Sequence, residues 1–247
     1  MQIIINQPLG RVLEHHVKNK IMRQKVSIPF MLLGILFCVC LITSNLLETK
    51  VIQIFGVTIT AGLLVFPISY IINDCIAEVW GFGKAKLIIW CGFAMNFIVM
   101  AFYAVAVALP AAPFWEGGEH FNYIFGLAPR IVVASLCAFL LGSFLNAYVM
   151  SRMKILQKGK GFSIRAIVST LVGETADSAV FFPITFGGLV TWKELLIMAL
   201  TQIVLKSMYE VVILPITIQV VKSIKQHEAS DVYDKDISYN IFKFKEK

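Results

Sequence analysis

Runs of about 20 consecutive apolar residues recur along this 247-residue chain, separated by short polar and basic stretches. A helix rising 1.5 Å per residue needs about that length to cross roughly 30 Å of hydrocarbon. Inside hydrocarbon every backbone N–H and C=O must find its partner within the helix itself. The pattern therefore predicts an all-α fold, a polytopic membrane bundle of about six transmembrane helices. Composition agrees, with 58% hydrophobic and 15% charged residues and a mean hydropathy of +0.78, against roughly 45–50% apolar content in soluble domains. The spans are expected at residues 27–47, 57–80, 85–109, 127–150, 166–189 and 193–221. That division gives an N-terminal tail over 1–26, a membrane domain over 27–222 and a C-terminal tail over 223–247.

The net charge of +7 does not point to nucleic acid, because the basic residues fall between spans instead of along one exposed face. They alternate with the loops. Arg11, Lys18, Lys20, Arg23 and Lys25 precede the first span, Lys84 and Lys86 follow the second, Arg152, Lys154, Lys158, Lys160 and Arg165 link the fourth and fifth, and Lys222 and Lys225 follow the sixth. The opposite loops carry only Lys50, Arg130 and Lys193. Basic residues accumulate on the cytoplasmic side, so both termini are expected inside a cell inner membrane. The basic stretch before the first span does not resemble a cleaved leader, and that span is expected to be retained. The polar tail beyond Gln226 is expected to be mobile.

The five cysteines all lie in apolar runs without CxxC spacing and read as core residues. The four histidines lie outside those runs, so no buried histidine metal site is expected. No Walker, HExxH or GxSxG pattern occurs, which leaves neither ATP hydrolysis nor hydrolytic catalysis a visible home and implies no cofactor.

Charges inside the spans are more informative. An ionised group in hydrocarbon costs several kcal/mol, about +2.5 to +3.5 on insertion scales, and persists mainly where it faces protein or a wet cavity. Asp74 and Glu78 stand four apart, Glu174 and Asp177 three apart, and Lys206 and Glu210 four apart. Each pair therefore shares one helical face. Five acids against the one clear interior base, Lys206, with Arg130 a candidate second, cannot all stay ionised in a low-dielectric bundle. A proton, a sodium ion or a substrate rich in N–H donors is expected to complete the site. Pro67, Pro183 and Pro215 fall on the same three spans, where a lost backbone hydrogen bond can open a helix toward a cavity. Tyr70, Phe66, Phe181 and Phe182 lie near the acids and could stack a planar ligand. A faint symmetry relates Ser44 and Asn45 to Ser143 and Asn146, and the acids of the second span to those of the fifth. Two inverted three-helix repeats, or chance placement, would each produce it.

In this order and spacing, Ser44 and Asn45, Pro67, Asp74, Glu78 and Gly81, Arg130, Ser135 and Ala138, Arg165, Ser169, Asp177, Ser178 and Phe181, and Lys206 resemble the queuosine precursor transporters of the vitamin uptake transporter family. The resemblance covers residues 43–215. Asn146 stands where the family often has Asp, and Glu174 where it often has an amide. The resemblance implies a 7-deazaguanine cargo: preQ0, preQ1 or queuine. Such a base offers N1–H and an amino group side by side, which one carboxylate accepts as a bidentate pair. Asp177 or Glu174 is then expected to take that edge, with Asp74, Glu78, Asn146 and Arg130 nearby. Asn45 would supply a polar contact, Tyr70 and Phe181 a stacking surface, and Lys206 charge balance or a hydrogen bond to O6. Three classes remain open at this point: a stand-alone ion-coupled carrier, a substrate-binding subunit needing an energising module, and a membrane enzyme using an Asp74–Asp177 dyad. The sequence assigns no oligomeric state.

Overall fold

The computed structural model describes residues 26–54, 57–126, 129–235 and 237–243. Seven helices occur among them: α1 (Ile28–Leu47), α2 (Phe66–Trp80), α3 (Phe82–Ala108), α4 (Gly118–Phe125), α5 (Pro129–Leu156), α6 (Phe162–Phe186) and α7 (Trp192–Glu228). Six are long and apolar enough to cross a membrane, the second counted from Ala61. Their outward faces are apolar, as Phe102 at 68% and Val212 at 72% exposure illustrate, while Asn73, Asp74, Glu174 and Lys206 are buried. Polar groups turned inward and apolar groups outward is the arrangement hydrocarbon solvent demands.

The expected second span is shorter than its apolar run. Val51–Ile54 (β1) pairs antiparallel with Val57–Thr60 (β2), Ile54 opposite Val57, and a 3-10 turn over Ala61–Leu64 leads into α2. β-Branched residues at Val51, Ile52, Val57, Thr58, Ile59 and Thr60 suit a ladder better than a helix. Pro67 consequently lies in the first turn of α2, where its missing N–H costs nothing, and does not kink a helix. Pro183 and Pro215 do lie inside helices. In the loop after α3, the short α4 forms with Tyr123 82% exposed.

α5 and α6 cross closely because two glycines face each other. A Cβ on Gly173 would lie 2.8 Å from Tyr70 Cε1 and 2.9 Å from Asn146 Cβ, and one on Gly142 would lie 3.0 Å from Asp177 Cβ. Small residues at such a crossing let backbones approach. Gly173→Ala is expected to destabilise the protein by about 1–3 kcal/mol through overpacking, read as a lower unfolding temperature in detergent.

The C-terminal tail is docked, contrary to the mobility expected of it. Asp234, 5% exposed, accepts from the Phe82 backbone N–H at 2.8 Å and from the Ser151 hydroxyl at 2.5 Å. It thereby caps α3 from a distance in sequence. Gly81, at φ +81°, leaves room for Asp234 and Val232 where a Cβ would meet them at 2.5 and 3.0 Å. Trp90 Nε1 donates to the Ile241 carbonyl at 3.0 Å and Lys154 Nζ to the Val232 carbonyl at 2.7 Å. Composition alone hid these contacts, because each pairs a tail group with a helix 80 or more residues away or nearly so. Asp234→Ala is expected to lower hydrogen-exchange protection across residues 230–243 about tenfold, since losing a cap costs about 1 kcal/mol or more.

Candidate functional site

A cavity of about 740 Å³ opens at the end of the bundle that carries the β1–β2 hairpin, a volume within the roughly 300–1,000 Å³ of small-molecule sites. Its polar lining comes from the end of α1 (Asn45, Glu48), from Thr60, and from Asn96 of α3, Ser135 of α5, Thr185 of α6 and Gln202 of α7. Phe181, Phe182, Phe186, Met100 and Leu136 supply apolar wall. A recess at its base adds Phe66, Asp177 and Lys206, and shares Glu48, Ser135, Phe181 and Gln202 with the cavity above.

Helical spacing positions this floor. Glu174 and Asp177, one turn apart on α6, both reach Lys206 on α7, with Nζ–O distances of 2.9 and 3.6 Å. Lys206 also sits 3.9 Å from the centroid of Phe66, a cation–π contact strengthened by exclusion of water. Glu174 is fully buried and Asp177 is 7% exposed. Glu174 therefore serves as a counter-ion beneath the lysine, whereas Asp177 reaches the cavity. Along the wall the Asn45 carboxamide donates to Asn96 Oδ1 at 2.9 Å and accepts from Ser135 at 3.1 Å, tying α1, α3 and α5 together.

Behind the floor lies a second polar layer that does not line the cavity. Ser169 stands 3.3 Å from both oxygens of Asp74, and Glu210 of α7 is close enough to act on that carboxyl electrostatically. Asn73 donates to Asn146 Oδ1 at 2.7 Å. Tyr70 is wedged between Gly142 and Gly173. Asp74 and Asp177 thus engage different partners instead of each other, against the dyad considered for an enzyme.

Glu78 stands elsewhere. Its carboxylate accepts from Arg165 at 2.8 Å and Lys225 at 2.6 Å, with Lys154 at 3.9 Å. Asp231 of the docked tail completes the cluster, 2.6 Å from Lys154 and 2.8 Å from Lys225. Partial burial alone would raise the Asp231 carboxyl, but hydrogen bonds from the two lysines outweigh it and hold the group below the usual carboxylate range. A depressed carboxyl stabilises docking above its unfolded value near pH 4 and stops doing so as pH falls through its folded value. Exchange protection of the tail is therefore expected to drop below about pH 4.

Of the residues named from sequence, the structure brings Asn45, Phe66, Ser135, Asp177, Phe181, Phe182 and Lys206 to the cavity or its floor. Glu174, Asp74, Asn146 and Tyr70 are placed behind it, and Glu78 at the far end of α2. The Arg130 side chain lies outside the described residues. Sequence reading passed over Glu48, Asn96 and Gln202. Asn96 is a lone amide in an apolar run, and Gln202 lies one turn before Lys206 on its face. Both signals were present. Glu48 carried none, since it follows the span and reads as a loop residue.

A bundle of membrane-spanning helices around a charged, solute-sized cavity defines a polytopic membrane protein built to hold a small molecule. The family model described as "Putative vitamin uptake transporter" matches residues 60–220, and the chain belongs to that family. It is 26% identical over 192 residues to the "Probable queuosine precursor transporter" of Bacillus subtilis (strain 168), covering 76% of this chain and 83% of that one. Similarity to the "Queuosine precursor transporter" of Escherichia coli (strain K12) is 30% over 155 residues, 61% of this chain and 66% of that one. No solved structure matches the chain significantly.

Proposed function

We propose that this protein imports a queuosine precursor, a 7-deazaguanine such as preQ0, preQ1 or queuine, across a bacterial inner membrane with both termini in the cytoplasm. The observation that carries the reading is the floor of the cavity, where the Asp177 carboxylate and the Lys206 ammonium stand 3.6 Å apart beneath aromatic walls. A guanine-like edge presents N1–H and an amino group beside a carbonyl. Asp177 accepts the two donors, Lys206 donates to O6, and Phe181 offers a face for the ring. The basic loops support an inward-facing tail-docked end, and the cavity then faces outward, as an importer awaiting substrate requires. Relatives named as queuosine precursor transporters support the cargo.

Proton coupling fits the layer behind the floor. Asp74 and Glu210 are buried and close enough to repel one another when both are ionised, a repulsion that one proton shared between them would relieve. That pair lies within the bundle, next to the acids that hold Lys206, where loading and release of a proton can be felt at the floor.

Cells unable to make queuosine precursors, supplied with each base in turn, test the proposal. The protein is expected to restore queuosine in tRNA, and Asp177→Asn to abolish that restoration; unchanged uptake by Asp177→Asn would overturn the assignment. Purified protein in liposomes is expected to accumulate the base under an imposed proton gradient. Binding without accumulation would instead identify a subunit that needs an energising module.

A further inference from the structure

We infer that Glu48 forms an ammonium subsite in the cavity, selecting deazaguanines whose 7-substituent is a protonated amine over those whose 7-substituent is uncharged. The inference rests on the proposed deazaguanine cargo and names the class within it.

Glu48 belongs to both the outer cavity and its floor recess, so its side chain is part of the space a ligand occupies. The other carboxylate exposed to that space, Asp177, is already paired with Lys206 at 3.6 Å, and Glu174 beneath it with the same lysine at 2.9 Å. Among the described residues no basic nitrogen lies within 4.0 Å of the Glu48 carboxylate. Its cavity neighbours Thr60, Ser135 and Gln202 are polar without charge, and Lys206, the cation of the shared recess, is engaged by Glu174 and Asp177. A carboxylate without an ion-pair partner in a mostly apolar cavity is costly until a cation joins it.

The group is held in place. Glu48 caps the end of α1, its backbone N–H bonded to the Ser44 carbonyl at 2.9 Å. Its Cγ occupies the space above Gly62, which a Cβ there would fill. The Ser44 hydroxyl donates to the Gly62 carbonyl at 3.2 Å, and the Ala61 N–H to the Lys50 carbonyl at 2.8 Å. Backbone contacts on both sides thus fix the Glu48 backbone, and Gly62 seats the base of its side chain at the cavity wall.

The ligand's own geometry completes the argument. In a 7-deazaguanine the 7-substituent sits on the five-membered ring beside O6 and away from the amino edge. With the amino edge on Asp177 and O6 on Lys206, a 7-aminomethyl group is carried off the floor, toward the wall where Glu48 is the unpaired acid. An ammonium there makes a charge-assisted hydrogen bond and relieves the isolated carboxylate; a nitrile does neither. Charge-assisted bonds of this kind correspond to roughly tenfold to a hundredfold in affinity.

Dissociation constants of the aminomethyl base and the nitrile base, measured on the purified full-length protein in lipid nanodiscs, test the inference through their ratio. Wild type is expected to favour the aminomethyl base at least tenfold, and Glu48→Gln to bring the ratio close to one, with Glu48→Asp between them. A wild-type ratio near one, or a ratio unchanged in Glu48→Gln, overturns the subsite while leaving deazaguanine import standing. Binding of neither base by wild type would overturn both. Because the readout is a ratio within each variant, a variant that folds in lower yield still decides the question.

Discussion

Lys206→Met is expected to lower deazaguanine uptake at least a hundredfold at equal abundance in the membrane. The lysine is 3% exposed and engages Glu174 at 2.9 Å and Asp177 at 3.6 Å, with its ammonium over the Phe66 ring at 3.9 Å. Removing it leaves two buried carboxyls one turn apart without a cation. Breaking such a buried pair from one side costs about 3–5 kcal/mol, unless the carboxyls take up protons. A protonated Asp177 no longer accepts two N–H donors, so the site is lost even where the fold survives. The double variant Lys206→Met, Glu174→Gln separates the two effects. It is expected to recover much of the unfolding temperature and none of the uptake. If the single variant took up substrate at wild-type rates, Lys206 would be a structural tie and the floor would not read the base.

Much of this arrangement was legible in the sequence because hydrocarbon punishes polar groups so strongly. Asp74, Glu174, Asp177, Lys206 and Glu210 stood out in apolar runs, and helical spacing placed Glu174 and Asp177 on the face that the structure joins to Lys206. The sequence also showed more acids than bases, and that excess survives in altered form. Glu78 has its own three cations, but Glu48 enters the cavity in its stead. What escaped detection depends on contacts between distant segments. Lys154, Arg165 and Lys225 read as loop charges that orient the chain, and only the packing of α2 against α5, α6 and α7 turns them toward Glu78. The second strand of the hairpin, Val57–Thr60, was absorbed into the expected second span because β-branched residues are apolar enough to extend it but do not favour its conformation. Depth was the missing quantity: periodicity tells which face a residue occupies, not which end of the bundle it faces.

Glu78→Gln is expected to destabilise the folded protein by about 3–5 kcal/mol, on the order of 10 °C in unfolding temperature in detergent. Arg165 is fully buried, its Nη2 2.8 Å from the Glu78 carboxylate. An amide in place of that carboxylate leaves the guanidinium without a counter-charge. Lys154, 2% exposed, would keep Asp231 and two backbone carbonyls. Lys225, 23% exposed on its side chain, is partly hydrated, so Lys225→Gln is expected to cost about 1 kcal/mol or less. Its small effect would show that the burden falls on the Glu78–Arg165 pair. The membrane-facing sequence alone had grouped Glu78 with the substrate acids, and the variant separates the two roles. A Glu78→Gln protein of wild-type stability that fails to bind a deazaguanine would return Glu78 to the substrate site. Loss of stability with binding retained at low temperature would fix it as the ion-pair centre that closes the tail-docked end.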